Sequence, residues 1–105
     1  MFIAIVQIPM VKRPRDAAVA AAAKSAPTYT ALGAKGLLRK YYLNGEAGGG
    51  GVYLWTSEAE ARAWYTPEWE NRMEAAFGAR PTVTYYDNHV VVDNEAGKVQ
   101  FEGTN

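Results

Sequence analysis

The chain has 105 residues, 49% hydrophobic and 21% charged, the make-up of one globular domain rather than a disordered or two-module protein. Eleven basic residues balance eleven acidic ones, so no overall field draws it to nucleic acid or to an anionic membrane. With no cysteine and a single histidine, His89, it is excluded from disulfides, thiolate metal sites and multi-histidine metal sites within one chain.

"FIAIVQI" (2–8) is apolar and β-branched at strand length. Its apolar run precedes the basic residues of "PMVKRPR", the reverse of a signal peptide, and no run reaches membrane-spanning length. A soluble cytoplasmic protein, with no membrane and no nucleic-acid partner, is the expectation. From about Pro14 to Ala26 an alanine run predicts a helix that Pro27 closes. After a loop through Gly33, "KGLLRKYYL" reads as a second strand and "GVYLW" as a third. Ser57 with Glu60 fits a capping box, and Thr66-Pro67-Glu68 a second helix start. Trp69, Met73, Ala76 and Phe77 share one face of that second helix, which Gly78 terminates. "TVTYYDNHVVV" (82–92) reads as the fourth strand, "DNEAGK" as a turn and "VQF" as a short terminal strand. The order β-α-β-β-α-β predicts a ferredoxin-like α+β protomer. One antiparallel sheet carries both helices on one face, a single domain over 1–105 with 94–105 as a short C-terminal extension.

"YYLNGEAGGGGVYLW" (41–55) sets four glycines between two apolar runs. A phosphate-binding loop needs its glycines to open a helix, in the Walker form with Lys and Ser or Thr behind them. Here a strand follows, so the expectation is a hairpin connection whose glycines supply positive-φ positions.

The predicted strands are apolar on both faces. Strand one sets Phe2, Ala4, Val6 and Ile8 against Ile3 and Ile5; strand two sets Leu37, Tyr41 and Leu43 against Leu38 and Tyr42. A sheet with one wet face alternates apolar with polar. Something covers the second face, and a second copy of the chain is the simplest cover.

"APTYTALGAKGLLRKYYL", "GGVYLW", "AWYTPEW", "FGARPTVTYYD" and "VVVDN" stand in an order and spacing similar to the small YdhR-type monooxygenases. These lie within the dimeric α/β-barrel superfamily that includes the antibiotic-biosynthesis monooxygenases. The resemblance spans roughly residues 26 to 94. It implies a ferredoxin-like protomer, a homodimer whose sheets form a barrel, and a pocket between sheet and helices. It also implies oxygenation of phenolic or quinol substrates without any cofactor. No family residue is carried over position by position.

The residues themselves then supply candidates. A helix one rich in alanine leaves room for a cavity lined by Tyr41, Tyr53, Trp55 or Tyr86; equally, alanines allow close packing with no space. His89 is of the residue type that titrates near neutrality, which makes it the natural base, with Asn88 beside it; a half-exposed or interfacial histidine is the competing reading. Arg39 and Lys40 point to opposite faces, so one of them reaches the pocket or both are solvated. The monooxygenase reading gives Arg39 or Tyr41 a developing oxyanion, packs the ring on Trp55 among Tyr53, Tyr86 and Trp64, and leaves protons to His89 and Asn88. Trp64 and Trp69 also fit plain core spacing. The alternative is a non-catalytic ligand-binding or stress-associated barrel; haem binding is a weaker third reading.

Overall fold

The structure, a computed structural model, describes residues 1–102; the last three residues of the C-terminal extension lie outside them. The elements in order are β1 (Phe2–Ile8), α1 (Arg15–Ala31), a 3-10 turn (Leu32–Lys35), β2 (Leu37–Gly45), β3 (Gly48–Trp55), α2 (Glu58–Trp64), α3 (Pro67–Phe77), β4 (Thr82–Asp87), β5 (Val90–Asp93) and β6 (Lys98–Phe101). The main sheet is antiparallel in the order β2-β3-β1-β4, consistent with a ferredoxin-like plan. β5 and β6 form a separate two-stranded sheet.

One face of the main sheet packs under the helices. Phe2, Ala4, Val6 and Ile8 of β1 point to that side, beside Tyr53 and Trp55 of β3, and meet Ala61 of α2, Tyr65 at the end of α2 and Trp69 of α3. Trp55 and Trp69 are fully buried. Each withdraws enough area to contribute on the order of 5 kcal/mol before entropy is subtracted. Trp55 Nε1 donates to the Tyr65 hydroxyl at 3.2 Å, so this pair brings no unmet polar group into the core.

Both predicted helix starts form. Ser57 Oγ accepts from the Glu60 amide and bonds the Glu60 carboxylate, and Thr66 Oγ1 accepts from the Trp69 amide. Thr56 also reaches the Glu60 carboxylate, and these hydroxyls, Thr56 foremost, hold that carboxyl below its usual range. Gly78 ends α3 at φ 74°.

Four sequence expectations change. First, α1 continues through Pro27 to Ala31. The proline removes the bond to the Ala23 carbonyl, which lies on an exposed stretch of helix, while Tyr29 and Leu32 beyond it pack against the core. That packing outweighs a local cost of about 3 kcal/mol. Second, the turn between β2 and β3 is Glu46-Ala47, and the four glycines lie inside β3. Gly48 and Gly50 do have positive φ, 123° and 132°, but they serve close approach: a Cβ there would strike the backbone oxygens of Ile8 and Val6.

Third, the predicted fourth strand is two strands interrupted at Asn88-His89. The Asn88 amide donates to the Met1 carbonyl at 2.9 Å, after which the chain leaves the sheet for the β5–β6 hairpin. Fourth, the side-chain alternation of β2 breaks. Leu37 and Arg39 pair with successive residues Trp55 and Leu54, so Leu38 is an extra residue, a β-bulge. Beyond it, Lys40 and Tyr42 share the helix side with Leu37, while Arg39, Tyr41 and Leu43 share the open side.

Candidate functional site

The inward face of α1 consists of Ala18, Ala21, Ala22, Ser25, Ala26 and Tyr29, all half-buried at helical spacing. Ala18, Ala21, Ala22 and Ser25 do not fill the gap to the sheet. A cavity of about 170 Å³ remains between them and the strands. Its floor is β1 (Val6, Ile8) and the glycine run (Gly49, Gly50), and at Gly49 a side chain would take up part of the space. A Cβ on Gly49 would lie 2.8 Å from Met10 Sδ. Met73 and Phe77 of α3 line the far side. The glycines thus bear on a ligand site by making room for it.

Lys40 enters this cavity because the Leu38 bulge turns it inward. Its Nζ lies 3.3 Å from the ring centre of Tyr29, 3.9 Å from that of Tyr42 and 4.8 Å from that of Tyr53. No carboxylate lines the cavity, and among the described residues Lys40 makes no ion pair. Burial lowers its pKa to about 7. The ring faces attract the ammonium and oppose that shift, so near neutrality both protonation states are in reach. Burial raises the Tyr29 and Tyr53 hydroxyl pKa values, which keeps them neutral hydrogen-bonding groups. The Tyr42 hydroxyl bonds Ser25 Oγ at 2.8 Å, tying β2 to α1 across the cavity. Trp69 also lines it, and its indole N–H has no acceptor at hydrogen-bond geometry, although the Tyr29 hydroxyl is close enough to feel it.

The structure distributes the sequence candidates over four places. Tyr53 lines the cavity. Trp55 is fully buried beneath it in the core, and Trp64 packs edge-on against Tyr29 with centroids 6.1 Å apart. Arg39, Tyr41 and Tyr86 lie on the opposite face of the sheet, where Arg39 donates to the Tyr41 hydroxyl at 2.9 Å and thereby has its own pKa raised. His89 and Asn88 sit at the break after β4. His89 is 68% exposed and paired with Glu102, which also lies 3.6 Å from the Met1 ammonium. The His89 contact and that ammonium hold the Glu102 carboxyl low. The cavity therefore does not gather His89, Asn88, Arg39 and Tyr41.

Sequence reasoning missed Tyr29, Tyr42 and Trp69, and left Lys40 level with Arg39. A signal for Tyr29 was present: it continues the stripe 18, 21, 22, 25 by one helical turn. The bulge that selects Lys40 has no comparable signature.

Among the described residues no group of histidines and carboxylates could hold a metal ion, and no helix is long and apolar enough to cross a membrane. Comparison with protein-family models and with curated proteins finds no match.

Proposed function

We propose that the chain is a cofactor-independent monooxygenase acting on a small phenolic or quinol-type aromatic bound in the tyrosine-walled cavity. The observation that carries this reading is the Lys40 ammonium held among three aromatic faces with no carboxylate in the lining. A void of ~150 Å³ lined by apolar groups accepts benzene, so 170 Å³ suits one ring with a short substituent. Neutral Lys40 accepts the ring hydroxyl's proton and, as the ammonium, holds the phenolate oxygen by a charge-assisted hydrogen bond. The electron-rich ring then reduces dioxygen. At a methylene activated by that ring, one oxygen atom enters as a carbonyl and the other leaves as water with the two displaced hydrogens. The substrate supplies all the electrons, so no flavin or metal is needed. The likeness to YdhR-type monooxygenases supports the same chemistry.

The same reading includes a homodimer closed through the open sheet face. That face presents Ile3, Ile5, Val52 and Leu54 half-buried and Tyr41 and Tyr86 about half exposed, an apolar patch of the kind that marks interfaces. Packing two such faces together would form the dimeric α/β barrel.

The absence of a histidine or carboxylate from the lining favours a second reading, a binding protein without chemistry. Oxygen uptake by metal-stripped protein against anthrones, quinols and catechols separates the two. Saturable uptake that Lys40→Met abolishes supports the oxygenase; melting-temperature shifts without uptake support the binding protein.

A further inference from the structure

The cavity holds a second cation. Arg13, in the strap between β1 and α1, lines the end opposite Lys40. The Asn44 side chain pins the strap twice, Oδ1 accepting from the Arg13 amide at 3.0 Å and Nδ2 donating to its carbonyl at 2.9 Å. The Arg13 guanidinium lies over the Phe77 ring, 5.7 Å from its centre, and makes no ion pair among the described residues. Along β2, Lys40 stands opposite Tyr53 and Asn44 opposite Gly49. The four-residue offset separates the two ends by about 13 Å of strand. An apolar slot in a chain of balanced charge thus carries a cation at each end and no anion between them.

We infer that the ligand is a phenol bearing a carboxylate at the far end of the molecule, its hydroxyl seated at Lys40 and its carboxylate held by Arg13. This rests on the aromatic-substrate reading and adds to it the second functional group and its orientation. The orientation follows from desolvation. A neutral hydroxyl costs far less to bring into the aromatic end than a carboxylate does. Arginine, permanently charged and planar, suits a permanent anion, which it binds through two parallel N–H donors. Lysine among ring faces suits a group that gains its charge only after arrival. The pinned strap holds Arg13's backbone in place before the ligand binds, which reduces the ordering cost of capture.

The test is equilibrium binding, by calorimetry or tyrosine and tryptophan fluorescence, of three probes: 4-hydroxycinnamate, its methyl ester and 4-methoxycinnamate. Each is measured on wild type, Arg13→Met and Lys40→Met, with circular dichroism to check folding. Wild type should bind the acid at least about tenfold more tightly than the ester, the effect of one charge-assisted contact. Arg13→Met should bring the acid down to the ester's affinity and leave the ester unchanged. Lys40→Met should keep the acid-over-ester preference and lose the preference for hydroxyl over methoxy. Equal binding of acid and ester to wild type overturns the inference while leaving the aromatic-substrate reading intact. An acid-over-ester preference lost in Lys40→Met but kept in Arg13→Met overturns the orientation. No binding of any of the three probes to wild type overturns the inference and counts against the aromatic-substrate reading with it.

Discussion

Replacing Lys40 with methionine should stabilise the fold, and by an amount that depends on pH. The pKa falls from 10.5 to about 7 on burial. At 1.36 kcal/mol per unit the ceiling is on the order of 5 kcal/mol. Lys40 is only half-buried, so solvent screens much of this. Attraction from the Tyr29, Tyr42 and Tyr53 faces returns a further part, leaving about 2 kcal/mol. At pH 6 folded and unfolded chains both carry the proton, and the folded chain bears the whole cost. The folded chain releases the proton within the window from pH 7 to about 10.4, where the unfolded chain still keeps it, so wild-type stability rises with pH there by the net cost of about 2 kcal/mol. Methionine, unbranched and similar in length, fills the same path without a charge. In urea titrations Lys40→Met should therefore exceed wild type by ~2 kcal/mol at pH 6, the gap closing as the pH rises through about 10.4. A gap independent of pH, or a variant less stable than wild type at pH 6, would refute the claim that Lys40 is held in the cavity at the expense of the fold.

Four further outcomes follow from the geometry. Gly50→Ala should lose about 2–4 kcal/mol in denaturant unfolding, because φ is 132° and its Cβ meets the Val6 carbonyl. Gly49→Ala crowds only the flexible Met10 side chain and meets the Leu43 backbone oxygen at an ordinary contact distance of 3.5 Å, so it should cost about 1 kcal/mol or less while weakening binding of ring compounds. Ser57→Ala removes the cap that the Glu60 amide uses and should cost about 1 kcal/mol by the same measurement. Light scattering at micromolar concentration should give a dimer mass, and Ile5→Asp or Val52→Lys on the open sheet face should give a monomer; a wild-type monomer would remove the barrel.

The sequence was most legible where the signal was local. Ser57, Thr66, Pro67 and Gly78 are helix punctuation, and each sits where its chemistry requires. The alternation of β1 was equally plain, since Phe2, Ala4, Val6 and Ile8 all face the core. Legibility failed where a tertiary contact overrode a local rule. Pro27 ordinarily stops a helix, but Tyr29 and Leu32 beyond it hold α1 to the sheet. The glycine run reads as a turn by composition, yet the close approach of β1 places it within a strand. The Leu38 bulge was the most consequential omission. One additional residue turned Arg39 away and Lys40 in, and with them the identity of the cation in the cavity. The same shift put Tyr41 on the open face and Tyr42 beside the ligand space.

The roof of the cavity has a thermodynamic consequence. Helix α1 is 17 residues long and has no fully buried residue, since the stripe it turns inward is mostly alanine. Transient local opening of a helix is resisted by the contacts it would lose, and α1 has few beyond Tyr29 and the Ser25–Tyr42 bond. A molecule filling the gap would supply the missing packing partner. Occupancy and the local stability of α1 are then linked quantities: whatever binds beneath the helix slows its amide exchange, and whatever fastens the helix tightens binding. A guest there would complete the core that the chain leaves unfinished.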